Sequence, residues 1–217
     1  MRKSRKDVDF VPTGWYKTVM EYVVMKKNST KDSLIRAAAN LAAIKGFDRT
    51  SVQDVMAEAG VGKGSFYHHF PTKDALGLAV LEQDRNGFMA MLDACFGEKR
   101  GAEALDCFFE AAFEKHHATG FAGGCLWGNT ALEMSDTNPA FVEPVDAVFK
   151  AWTAKLSKAI EEGQADGDVR KDVKASDLAL LIVETVEGAI MLARLRKDEA
   201  PMRSGLELLQ KMISVKK

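Results

Sequence analysis

The sequence predicts an all-α protein, with a small three-helix domain built around a helix-turn-helix near its front and a larger helical domain behind it. Three observations carry this expectation. Apolar residues recur at three- and four-residue spacing along most of the 217 residues, the period of a helix buried on one side. Few stretches alternate apolar and polar residues as a half-buried strand does. Proline, which interrupts helices, occurs five times.

The expected elements run in order. Residues 31–45 read as an amphipathic helix with Leu34, Ala37, Ala38, Leu41 and Ile44 on one face, capped by Ser29 or Thr30 and ended by a left-handed Gly46. Thr50 is the expected cap of a second, short helix carrying Val52, Val55 and Met56, which Gly60 stops. A third begins near Gly62 or Lys63 and reaches Phe70, before Pro71. A long fourth helix opens at Pro71 or Thr72 and extends to about residue 95. Beyond Gly97 come helices over 102–118, 125–135 and 139–164, with a glycine-rich loop at 120–124 and a turn at 165–168. The last two helices cover 176–196 and 201–215. The expected organisation is an N-terminal extension over 1–28, a helix-turn-helix domain over 29–76 and a body over 77–217.

The extension, with Pro12, Gly14 and Trp15, fits no element and is expected to be poorly ordered. Residues 1–24 read either as a basic arm that touches DNA or as upstream sequence carried in by a start placed ahead of Met25. No apolar run is long enough to cross a bilayer and no secretory segment follows the basic start, so a cytoplasmic protein without membrane contact is expected. Three cysteines, Cys95, Cys107 and Cys125, are too few and too irregular for a disulfide framework, and reduced thiols are expected. No metal-ligand spacing occurs, and adjacent His68 and His69 would point apart on a helix, so neither a metal nor a cofactor is expected. The overall charge of −1 conceals an asymmetry, with 13 Lys+Arg against 8 Asp+Glu in residues 1–75 and 17 against 23 beyond. A basic head on an acidic body suits phosphate binding at the front.

The segment with the most chemistry runs from Thr50 to Leu76, two short helices joined by a tight Ala59-Gly60-Val61 turn. In a helix-turn-helix the second helix enters the major groove. Thr50 is expected to cap a helix whose N-terminus faces a phosphate. Gly64 would let the backbone approach a duplex. Lys63, Ser65 and His68 would meet base edges or phosphates, Tyr67 would hydrogen-bond a phosphate, and Lys73 would pair with the backbone. The alternative is that these residues only build a small helical subdomain.

Residues 31–77 resemble the DNA-binding domain of the TetR family of repressors. The resemblance rests on Lys45-Gly46-Phe47, Thr50-Ser51-Val52, Ala59-Gly60-Val61 and Gly64-Ser65-Phe66-Tyr67-His68-His69-Phe70 with Lys73. Gly62 departs from the Ser, Ala or Thr more usual there and bears on operator choice. The resemblance implies a homodimer formed by the last two helices, a palindromic double-stranded DNA operator, and a small-molecule inducer bound in the body. Leu178, Leu181, Ile182, Thr185, Ala189, Leu192 and Ala193, with Leu206, Leu209, Met212 and Ile213, would supply the dimer stripe, unless those faces pack within one chain. Pocket walls are expected from Phe109, Phe113, Trp127, Met134, Phe149, Trp152 and Met191, with His116, Asn129 and Glu187 orienting a polar ligand, although aromatics on helices are more often core. Residues 123–133 also resemble a segment of a TetR subgroup in which some members respond to electrophiles through a cysteine. That makes Cys125, beside a helix N-terminus, a candidate sensor thiol, against the default of a buried structural cysteine. The rival functions are a small helical enzyme, for which no nucleophile, phosphate or dinucleotide motif is present, and an adaptor without DNA binding.

Overall fold

A computed structural model describes residues 29–215, and the readings for residues 1–28 lie outside them. The described chain runs through nine α-helices: α1 (Thr30–Lys45), α2 (Val52–Ala59), α3 (Lys63–His69), α4 (Lys73–Glu98), α5 (Gly101–His117), α6 (Leu126–Met134), α7 (Val142–Asp166), α8 (Ala175–Arg196) and α9 (Ala200–Ile213). The helix expected from Pro139 starts as a separate 3-10 turn, Pro139–Phe141, because the Asn138 side chain caps the amide of Ala140 ahead of α7. The one bridge of β type among the described residues, Val169 to Ser214, pins the turn after α7 to the end of α9.

Local chemistry sets the front helices. Ser29 and Asp32 form a capping box at the start of α1, each side chain bonding the other's backbone amide. Ser51 and Asp54 do the same for α2. This corrects the expectation for Thr50, which sits one residue too early and turns its hydroxyl inward to donate to the carbonyl of Gly46 at 2.7 Å. Gly60 ends α2 at φ 66°, a left-handed conformation that suits glycine. Thr72 caps α4, which runs through Gly97 rather than ending before it.

Two apolar cores result. The first joins Leu34, Val55, Phe66 and Phe70 of the front helices to Leu76 and Val80 of α4, Trp127 and Met134 of α6, and Val145 of α7. Gly77 lets α4 come close here: a Cβ at that position would lie 2.5 Å from the ring of Phe47. The second core gathers Met91 and Leu92 of α4, Phe108 and Phe109 of α5, Trp152 and Leu156 of α7, and the inner faces of α8 and α9. Helices α4 and α7 pass through both.

Two expectations change. Cys95 of α4 and Cys107 of α5 form a disulfide, their Cα atoms 5.5 Å apart, leaving Cys125 as the one free cysteine. Twelve residues of separation say nothing of pairing; the sharp turn at Lys99–Arg100 folds α5 back along α4 and brings the two together. On α8, the stripe read as a dimer face is largely internal, since Leu178, Ile182, Ala189 and Ala193 are buried in their own chain, as are Leu206, Leu209 and Ile213 of α9. Both helices carry apolar residues on a second face as well, and periodicity alone does not say which face turns inward. Among the described residues no helix is long and apolar enough to cross a membrane.

Candidate nucleic-acid interface

The geometry of the front domain follows from three buried side chains. Val55 of α2, Phe66 of α3 and Phe70 just beyond it pack under α1, fixing the two short helices against each other. The rings of Phe66 and Phe70 lie 6.2 Å apart, and the Tyr67 ring meets Phe66 edge-on at 5.1 Å. With Phe66 turned in, α3 leaves Lys63, Gly64, Tyr67 and His68 exposed and Ser65 half-buried. A Cβ on Gly64 would meet nothing within 4 Å, so the chain's own packing does not require glycine there. Arg49, exposed in the loop before α2, adds a cation that the motif reading passed over.

Two other lysines are engaged internally. Lys45 of α1 binds Asp54 of α2 at 2.7 Å. That hydrogen bond, with those from the Ser51 amide and hydroxyl, holds the Asp54 carboxyl down to about 2. Lys73, expected to reach a phosphate, instead donates to the carbonyl of Asp48 at 2.8 Å and ties the start of α4 to the loop before α2. Thr50 is almost fully buried, with its hydroxyl committed to Gly46, and offers nothing to a ligand.

A second joint fastens this domain to the body. The Glu133 carboxylate of α6 accepts the amides of Phe47 and Asp48, both at 2.8 Å. Gly46, at φ 88°, makes room for it, since a Cβ there would stand 2.5 Å from Glu133 Oε1. Near the end of α8, the Arg194 guanidinium donates to Asn129 Oδ1 at 3.0 Å and to the carbonyl of Ala43 in α1 at 3.2 Å. Asn129 in turn donates to the carbonyl of Gly123 at 2.6 Å. These groups border a cleft of about 280 Å³ lined by Ala42, Gly46, Asn129, Leu132, Glu133 and Arg194. Glu133 and Arg194 stand 86 and 151 residues from their partners in the front domain, and nothing local in the sequence marks them.

The body candidates separate into groups. Phe109, Phe113 and Trp152 lie in the body core, where Trp152 packs against Phe88, Phe108 and Phe149. Trp127 and Met134 belong to the other core, and Trp127 Nε1 donates to Asp84 of α4 at 2.8 Å. Asn129 is spent on the joint, and Met191 is exposed, so neither reaches a body pocket. His116 is buried, and burial, with a smaller contribution from Lys115, holds its imidazole down to about 4 and neutral at pH 7. Cys125 caps α6 beside Gly128 and Glu187. Burial, then the Glu187 carboxylate, pushes the Cys125 thiol up, which outweighs the helix N-terminus expected to favour a thiolate. Burial likewise raises Glu187. Two buried atoms in this region have no hydrogen-bond partner, Trp152 Nε1 and Glu187 Oε1.

This arrangement recurs in known proteins. Residues 34–80 match the domain family described as bacterial regulatory proteins, tetR family, and residues 101–209 match the tetracyclin repressor-like C-terminal domain. The chain is 33% identical over 174 residues to the transcriptional regulator AcuR of Cereibacter sphaeroides, spanning 79% of this chain and 80% of that one. It is 27% identical over 180 residues to the HTH-type transcriptional repressor DhaR of a Mycobacterium species, spanning 82% and 89%. Among solved structures, the regulatory protein TetR from Rhodobacter sphaeroides superposes with a TM-score of 0.78 at 32% identity, covering 83% of this chain and 97% of that one. A TetR transcriptional regulator from Chloroflexus aurantiacus gives 0.76 at 28% identity, covering 92% and 100%.

Proposed function

The chain belongs to the TetR family of bacterial regulatory proteins and is a DNA-binding transcriptional repressor, and from that premise we propose that it grips a palindromic operator as a homodimer and lets go when a small molecule enters its body. The family is one of regulators rather than enzymes. The observation that carries the reading is the outward face of α3, where Lys63, Gly64, Tyr67 and His68 stand clear while Phe66 anchors the helix from behind. In the major groove, Lys63 and His68 would meet base edges, Tyr67 and Arg49 phosphates, and Gly64 the closest approach of backbone to duplex.

Two copies would read half-sites about 34–36 Å apart. Exposed apolar side chains on the outer faces of α8 and α9, among them Leu181, Met191, Leu208 and Met212, support a dimer through these two helices. For the inducer, the support is chemical. A buried donor or acceptor without a partner costs about 1–3 kcal/mol, and a ligand that met Trp152 Nε1 and Glu187 Oε1 would recover that. An electrophile acting on Cys125 is the less favoured inducer, because the thiol rests protonated.

A gel shift with duplex from the promoter beside its own gene tests the reading. Retardation that weakens as salt rises is expected, with Arg49→Ala lowering the slope of log affinity against log salt by about 1. No salt-sensitive retardation at any concentration would overturn it.

A further inference from the structure

We infer that Cys95 and Cys107 are a reversible oxidation site: a hydroperoxide closes their disulfide, a dithiol opens it, and the bond sets how firmly α4 carries the head. The inference goes beyond the inducer reading, since it needs neither a ligand in the body nor Cys125.

The first ground is a conflict between the bond and its place. A bacterial repressor works where the chromosome is, in a compartment whose thiol systems keep cysteines reduced. Disulfides that form there are usually transient, and serve catalysis or redox sensing. Nor is this bond needed to bring the two helices together. Phe96, next to Cys95, stacks on Phe108, next to Cys107, at 5.9 Å. Leu92 of α4 and Leu105 of α5 lie in the same core as Cys95. The turn at Lys99–Arg100 already folds the twelve-residue stretch between the cysteines. With the bond open, the two thiols would therefore stay neighbours and could close again.

The two sulfurs differ in access. Cys95 is fully buried, whereas Cys107, in the middle of α5, is half-buried and is the one a small oxidant meets. Its sulfur takes an oxygen from the hydroperoxide and becomes a sulfenic acid, while the remainder leaves as an alcohol, or as water from hydrogen peroxide. The Cys95 sulfur then attacks the Cys107 sulfur; the disulfide forms, and the hydroxyl leaves with the Cys95 proton as water. In sum, two thiols and one hydroperoxide give one disulfide, one alcohol and one water. A dithiol reverses this by exchange and itself ends as a disulfide. The element that feels the change is α4. Its start is tied to the head through Lys73 and the carbonyl of Asp48, and Cys95 lies near its other end. Bonded to α5, that end keeps one seat; with the bond open, packing alone holds it and the head samples more orientations. The orientation that fits an operator is then a smaller share of the whole, and affinity falls with that share.

Thiol counting and gel shift on the full chain test this. Treated with dithiothreitol while folded, desalted and then denatured, the chain should show three free thiols. Given a stoichiometric amount of hydrogen peroxide after desalting, it should show one, Cys125. Circular dichroism should be the same for both forms. In the gel shift, the oxidised form should bind the promoter duplex about fivefold or more tighter than the reduced form. Cys107→Ser should keep the reduced affinity under either reagent, and Cys107→Ala serves if the hydroxyl disturbs folding. Cys125→Ser should respond as the wild type does. A bond that millimolar dithiothreitol leaves intact in the folded chain overturns the inference, as does equal affinity of the two forms or a response that Cys125→Ser abolishes. If neither form retards the duplex, the operator reading falls, and amide exchange along α4 decides instead: it should be faster in the reduced form, and equal rates overturn the inference.

Discussion

His116 shows what burial does to a single ionisable side chain. Its imidazole is held at about 4 against an ordinary 6.5, so between those values the unfolded chain takes up a proton that the folded one refuses. Stability from this residue is complete above about pH 6.5 and drains away as pH falls toward 4. Thermal melts at pH 7.5 and pH 5 should show a loss of about 2 kcal/mol in the wild type that His116→Gln largely lacks; an equal loss in both would mean the ring is not held neutral. Elsewhere, single residues were legible in sequence only where local order determines their surroundings. Lys63, Tyr67 and His68 follow from Phe66, because a seven-residue helix with one inward aromatic has a defined outside. Thr50 and Lys73 did not follow, since each found a backbone carbonyl within its own domain, a competitor that the motif does not display. For Cys125 the helix start is visible in sequence, but the burial that raises its thiol, and the Glu187 carboxylate 62 residues later that adds to it, are not.

At the scale of elements, the helices themselves were legible because each has a period and a stop, and most lie within a few residues of their expected bounds. Their caps carry measurable energy. Ser51→Ala removes one side of the capping box at α2 and should cost about 1 kcal/mol in chemical denaturation, with Thr50→Ser costing less. Element α6 has the largest consequence for its size. Its first turn lies against Glu187 through Gly128, and its last turn carries the Glu133 carboxylate that holds two amides of the head. Hydrogen bonds to a charged acceptor contribute about 1.5–3 kcal/mol each, so Glu133→Ala should lower stability by about 2 kcal/mol or more and raise exchange at Phe47 and Asp48 selectively. Glu133→Ala should also weaken operator binding while leaving α3 intact, a combination readable by gel shift together with amide exchange. Sequence could not reveal this joint, because the partners meet only after α4, α5 and the loop at 120–124 have turned the chain back on itself.

Across the whole molecule, one bond that sequence counting argued against alters the mechanics. Titration of the denatured, unreduced chain with a thiol reagent should find one reactive cysteine per chain; three would mean that Cys95 and Cys107 are separate thiols. That disulfide sits near the far end of α4, while Lys73 and Thr72 stand at the end next to the head. A 26-residue helix is about 39 Å long. Clamped by sulfur at Cys95, about 33 Å along the helix from Lys73, it would act as a lever, and a swing of about 6° would carry its head-side tip about 3.4 Å, the rise between neighbouring nucleotides on one strand. A deflection of that size, to which the contacts of Leu76 and Val80 with α6 and α7 would have to yield, would put each reading helix a full base pair out of step with its half-site.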